Sequence, residues 1–112
     1  MIDPQLQTAL RLKYNPDGSP LRELQMHQLE ILKAVDDICR RHNLRYWLEG
    51  GTLLGAARHG GFIPWDDDID IDMPLEDLNR FCKIAAEELP YGMVVHTHQS
   101  DPNYYVPIVK VR

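Results

Sequence analysis

Apolar residues recur every three or four positions along one stretch of the chain, at Leu21, Leu24, Leu29, Leu32, Val35, Ile38 and Cys39. That spacing predicts a long helix over residues 21–42 with a single inward face. Ser19 stands where an N-cap belongs, and Pro20 follows at the first helical position, where its missing N–H costs nothing. Arg40, Arg41 and His42 suit the negative end of the helix dipole. Before this helix, residues 5–14 read as a short helix and Asn15-Pro16-Asp17-Gly18 as a turn, so residues 1–19 form a lead-in. Another helix is predicted from Pro74 to about Leu89, with Leu78, Phe81, Cys82, Ile84, Ala85 and Leu89 inward and Pro90-Tyr91-Gly92 as its stop.

The pattern between these helices is different. Residues 45–49 carry Tyr46, Trp47 and Leu48 and read as a strand, broken by Gly50-Gly51. Residues 52–58 fit one or two helical turns, ended by Gly60-Gly61. Then Ile69, Ile71 and Met73 alternate with Asp68, Asp70 and Asp72, a period of two that predicts a strand with an apolar face and a carboxylate face. Residues 93–97 and 104–111 are the last strand candidates, separated by a polar loop over residues 99–103. The order α-β-α-β-α-β-β after the lead-in predicts a small mixed α/β (α+β) domain, a mixed sheet flanked by helices. The chain stops inside its last strand candidate, so it is expected to be part of a longer protein.

Composition narrows the function classes. The 112 residues hold 17 Asp and Glu against 12 Lys and Arg, for a net charge of −5. Five of the acids are Asp66, Asp67, Asp68, Asp70 and Asp72; the rest of the chain balances, so the entire excess sits in one segment. An acidic focus on a neutral background leaves no basic footprint for a nucleic acid. No apolar run approaches the roughly 20 residues of a membrane span, and the N-terminus lacks a leader pattern. Cys39 and Cys82 have neither metal nor redox spacing and read as reduced core residues. A cytoplasmic protein is expected.

In a strand, Asp68 and Asp70 project to the same side, roughly 6–7 Å apart. Like charges that close are costly unless a cation neutralises them, and oxygen-only donors favour Mg²⁺ or Mn²⁺. A solvated acidic edge is the bland alternative. The apolar residues Phe62, Ile63, Trp65, Ile69 and Ile71 around the segment argue against it, because they hold the charges near an interior. A calcium loop fits worse: Ile71 falls where the sharp turn needs glycine, and Asp77 falls where a bidentate Glu is usual. Gly50-Gly51-Thr52 opens a helix after a strand and is either a plain turn or a phosphate cradle of backbone N–H groups, with Thr52 capping the helix or donating its hydroxyl. Arg58 suits phosphate oxygens or the helix C-terminus; His59 is an acid–base candidate or a surface residue. Trp65 stacks on a base or anchors the strand, and Glu49 approaches the metal or ends its strand in solvent. His27, His42, His96 and His98 lack a shared ligand pattern and read as structural.

Two blocks, Gly50-Gly51-Thr52-Leu53-Leu54-Gly55-Ala56-x-Arg58-His59 and Phe62-Ile63-Pro64-Trp65-Asp66-Asp67-Asp68-Ile69-Asp70, closely resemble the LicD family of phosphotransferases, which includes phosphocholine transferases and fukutin-related ribitol-phosphate transferases. The resemblance covers roughly residues 20–112. It implies a nucleotidyltransferase-like fold of the DNA polymerase beta type. It also implies metal-dependent transfer of a phospho-alcohol such as phosphocholine from a CDP-linked donor to a glycan or lipid-linked glycan, which would bring the protein to the inner membrane face through its acceptor. By this match Gly50 and Gly51 lie at the nucleotide phosphates, Asp68 and Asp70 are the metal pair, and Asp66 supports them. Asp72 falls where the family pattern is looser. A third carboxylate and an acceptor region are expected past Arg112. Competing readings are a nucleotidyltransferase that releases pyrophosphate and a non-enzymatic calcium-binding or interaction module.

Overall fold

A computed structural model describes residues 1–97 and 109–111. The elements are α1 (Pro4–Tyr14), α2 (Pro20–His42), β1 (Trp47–Leu48), α3 (Gly50–His59), β2 (Ile71–Asp72), α4 (Leu75–Glu88), β3 (Val95–His96) and β4 (Lys110–Val111). The predicted helices and their order stand. The chain divides into two compact units, Met1–Glu30 with Tyr46–Asp72, and Ile31–Arg45 with Met73–Arg112, and α2 contributes to both.

In the first unit, Asp3 caps α1, its carboxylate accepting from the Gln5 and Leu6 N–H groups. Ser19 caps α2 as expected: its Oγ accepts the Arg22 N–H at 3.1 Å. β1 and β2 pair antiparallel, Trp47 opposite Asp72 and Leu48 opposite Ile71. α3 ends at Gly60 in the left-handed region (φ 69°), where a Cβ would be strained. Within α3, Gly55 is buried because the chain folds back onto it: a Cβ there would collide with the Gly61 carbonyl and lie 3.1 Å from the Ile63 nitrogen.

In the second unit, Val35, Ile38, Cys39, Leu44, Phe81 and Ala85 are buried. Full burial of a side chain such as Ile38 or Phe81 stabilises by about 1.5–3 kcal/mol. α2 stops at Asn43 (φ 55°), with the Leu44 N–H returning to the Cys39 carbonyl. Arg41 and His42 both reach Glu88 near the end of α4. Buried Asp77 accepts from the Arg45 backbone and guanidinium at 2.7–3.2 Å, which holds its carboxyl down at about 2. β3 pairs antiparallel with β4, Val95 opposite Val111.

Three expectations change. The acidic strand is short: only Ile71 and Asp72 join a ladder, while Asp66 through Asp70 are irregular, their backbone engaged by other partners. Among the described residues the strands form two separate antiparallel pairs, not one mixed sheet. Leu24 is 42% exposed, and its neighbour Gln25 is fully buried in its stead. The loop over residues 99–103 and most of the strand over 104–111 lie outside the described residues. Among those described, no helix is long and apolar enough to cross a membrane.

Candidate metal and phosphate site

The glycine corner and the acidic segment meet. Glu49, extended, precedes α3, and its side chain caps none of the helix N–H groups. The first intrahelical bond runs from the Leu53 N–H to the Glu49 carbonyl, so the N–H groups of Gly50, Gly51 and Thr52 have no partner within the helix. Gly50 takes φ +55°, which turns the chain from β1 into α3. Gly51 is needed for a different reason. A Cβ there would stand 2.6 Å from Asp66 Oδ2, so the missing side chain is what admits the Asp66 carboxylate to the helix N-terminus. That end carries about half a positive charge and favours an anion.

Asp66, Asp67 and Asp68 converge: one carboxylate oxygen from each lies within 4.8 Å of the others. Burial, and then the Asp68 charge, push the Asp66 carboxyl above the usual carboxylate range; the Asp67 N–H it accepts opposes the rise. Asp70 is raised by burial, Asp68 and Asp72 in that order. Its backbone is fixed on both sides, the N–H donating to Thr52 Oγ1 at 2.8 Å and the carbonyl accepting from Glu49 at 3.0 Å. Thr52 thus braces the acidic segment and does not cap its helix. Glu49 shares a hydrogen bond with the Asp72 carboxyl, which raises Glu49 above its ordinary value.

This crowding fits a divalent cation. Oxygens on opposite sides of a Mg²⁺ stand about 4.1 Å apart, so small side-chain rotations would bring the three carboxylates onto one ion. The donors are hard oxygens with no nitrogen or sulfur among them, which suits Mg²⁺ or Mn²⁺. Asp67 joins the set although periodicity gave it no role, because a segment that is not a strand does not alternate its side chains.

Arg58 and His59 are not brought to this cluster. They lie at the other end of α3, about 12 Å along the axis from Gly50. His59 is buried, not a surface residue: its Nδ1 faces Gln7 Oε1 at 2.5 Å, and its Nε2 accepts from Arg58 Nε at 3.0 Å. Both contacts suit the neutral ring, and burial followed by the Arg58 charge lowers its pKa. Trp65 is 54% exposed, with Tyr14 and His59 edge-on at 5.8 and 6.4 Å, so it is not a core anchor.

The sequence reading missed a polar network beneath the acidic segment. Asn15 and Gln25 are fully buried and bonded to each other at 2.8 Å, and Ser19 donates to Asn15. Gln25 Nε2 donates to the Asp66 carbonyl at 2.8 Å and approaches those of Ile63 and Pro64 at 3.4 Å. Gln28 Nε2 donates to the Asp67 carbonyl at 2.9 Å. Gln25 and Gln28 follow the helical spacing of the buried face, a signal that an apolar-only count discards.

Known proteins share part of this sequence. Residues 43–105 match the family model described as LicD/FKTN/FKRP, nucleotidyltransferase domain. The lipopolysaccharide cholinephosphotransferase LicD of Haemophilus influenzae is 48% identical over 68 residues, covering 61% of this chain and 26% of the relative. The human ribitol 5-phosphate transferase FKRP is 50% identical over 68 residues, covering 61% of this chain and 12% of that protein. Mannosyltransferase regulator 4 of Saccharomyces cerevisiae is 23% identical over 87 residues, 78% of this chain and 7% of its own length. The chain thus spans about a quarter or less of each of these relatives. No solved structure matches it.

Proposed function

Because this chain belongs to the LicD/FKTN/FKRP nucleotidyltransferase-domain family, we propose that it forms the metal- and phosphate-binding part of a phospho-alcohol transferase with a CDP-linked donor. The observation that carries the reading is the contact between Gly51 and Asp66, which makes one site of the glycine corner and the acidic segment. Relatives that transfer cholinephosphate and ribitol 5-phosphate support a phospho-alcohol as the group moved. Phosphocholine is the first candidate, with a glycan or lipid-linked glycan as acceptor. The fold proposed is nucleotidyltransferase-like, of the DNA polymerase beta type, over residues 20–112 with residues 1–19 as lead-in.

Asp66, Asp67 and Asp68, whose carboxylates converge, would hold the Mg²⁺ or Mn²⁺, with Asp70, which the family resemblance pairs with Asp68, standing outside that convergent group as a further candidate ligand. Bound there, the ion neutralises charge on the donor pyrophosphate. The N–H groups of Gly50, Gly51 and Thr52 hold donor phosphate oxygens without needing a cationic side chain. The acceptor hydroxyl oxygen forms a bond to the phosphorus bearing the alcohol and gives up its proton to water, as the bond from that phosphorus to the CMP oxygen breaks and CMP leaves with that electron pair. Fixed dipoles at the α3 N-terminus favour the charge that develops on the leaving phosphate. Arg58 is the candidate cation for the transferring group only through movement of its side chain, because its guanidinium is paired through Nε with His59 at the far end of α3. The exposed Trp65 ring is the surface offered to the base or the alcohol.

Because an acceptor region and a third carboxylate are expected past Arg112, the chemistry is tested by incubating this domain, joined to its acceptor region, with CDP-choline, Mg²⁺ and a glycan acceptor. The proposal expects CMP and a phosphocholine-bearing glycan; absence of both overturns it. The family description keeps one competitor, a nucleotidyltransferase, and pyrophosphate release from CTP would establish that reading instead.

A further inference from the structure

The acidic segment does not hold its own shape. It has no ladder partner before Ile71, and one carboxylate oxygen from each of Asp66, Asp67 and Asp68 lies within 4.8 Å of the others, so their like charges repel. Something else must keep Asp66, Asp67 and Asp68 convergent. The carbonyls of the segment provide the handle. Those of Phe62, Ile63, Pro64, Asp66 and Asp67 all face side-chain amides: Gln7 on the first, Gln25 on the next three, and Gln28 on the last.

We infer that Gln25, assisted by Gln28, is the positioning residue of the metal site, fixing the backbone turn that makes the three carboxylates converge. The inference rests on the metal reading of the site given above.

Gln25 is suited to this work. Its Nε2 carries two hydrogens and faces three carbonyl oxygens, while its Oε1 accepts from Asn15 Nδ2 at 2.8 Å and Arg22 Nη1 at 3.1 Å. Donors on one side and acceptors on the other admit only one orientation of the amide. Its burial removes water as an alternative partner. The uncharged donor matters as well, since a Lys or Arg in this place would add a cation beside the carboxylates and compete with the metal. Gln28 acts at the segment's outer end and is itself only half-buried, so its removal tests the bond with little disturbance of the core.

The test is a Mn²⁺ titration of the metal-free chain, followed by electron paramagnetic resonance, on wild type, Asp68→Asn, Gln28→Ala, Gln25→Met and Leu21→Ala. Leu21→Ala is the control, lowering the melting temperature from the same helix without touching a segment carbonyl. Loss of a group that orients metal ligands typically weakens affinity by about 10–100-fold. Gln25→Met and Gln28→Ala are each expected to weaken Mn²⁺ binding at least tenfold, while Leu21→Ala leaves it within twofold. Amide hydrogen exchange at residues 66–68 in the metal-free protein should quicken in both glutamine variants. Should Gln25→Met fail to fold, Gln28→Ala decides. Affinities within twofold of wild type in the glutamine variants overturn the inference, as does an equal loss in the Leu21→Ala control. If wild type binds no Mn²⁺, or Asp68→Asn binds as well as wild type, the metal reading itself falls and takes this inference with it.

Discussion

Two adjacent glycines answer to different requirements, and replacing each by alanine separates them. At Gly51 the obstacle is the Asp66 carboxylate, whose Oδ2 would lie 2.6 Å from the new Cβ where ordinary contact begins near 3.4 Å. The carboxylate must retreat by roughly 0.8 Å, beyond the about 0.5 Å within which a functional constellation has to be held. The backbone gains from the change, because Gly51 has no positive φ and alanine is the better helix former by up to about 1 kcal/mol. Gly51→Ala should therefore keep or raise the melting temperature while weakening Mn²⁺ binding about tenfold, equivalent to about 1.4 kcal/mol. Gly50→Ala should do the reverse. Nothing lies within 4 Å of its would-be Cβ, but φ +55° costs an L-residue about 1–2 kcal/mol. Paired thermal melts and Mn²⁺ titrations read both quantities. Wild-type affinity in Gly51→Ala, or a lost affinity in Gly50→Ala at temperatures where it is folded, would refute the close-approach argument.

Gly55→Ala should destabilise by about 1–3 kcal/mol in urea unfolding, because its Cβ meets backbone atoms of Gly61 and Ile63 that cannot swing aside. Asp77 is ionised to about 2 in the folded chain against an ordinary 3.8, so its contribution to stability is complete above pH 4 and lost as pH falls toward 2. Asp77→Asn should accordingly lower the melting temperature at pH 7 and flatten its fall between pH 4 and 2, as a pH series of melts would read. Burial, with the nearby Asp36 and Asp77 charges, pushes the Cys39 thiol up to about 11, so it should react with a thiol reagent at pH 8 only after denaturant is added.

The helices were legible because their caps and apolar spacing agree. Ser19 and Pro20 start α2 where the pattern says, and Pro74 and Pro90 bracket α4. The acidic segment was legible in identity but not in shape. Alternation of Ile69 and Ile71 with aspartates imitates a strand, yet β1 offers only Trp47 and Leu48 as partners and the ladder ends after two residues. The polar network was hidden because its members are Asn and Gln on positions that apolar periodicity skips, which also explains why Leu24 was expected inside. His59 was hidden for the complementary reason: its partners Gln7 and Arg58 mean little until α1 is folded beside α3. Asp77 likewise gains its meaning from Arg45, 32 residues away in sequence.

The central claim is that the glycine corner and the carboxylates form one site for a divalent cation and a nucleotide pyrophosphate. Calorimetric titration of CDP-choline into the protein, with Mg²⁺ and again with EDTA, tests it most directly. The account predicts binding that requires the divalent ion and disappears in Asp68→Asn. Binding of equal strength in EDTA, or in the variant, would contradict it.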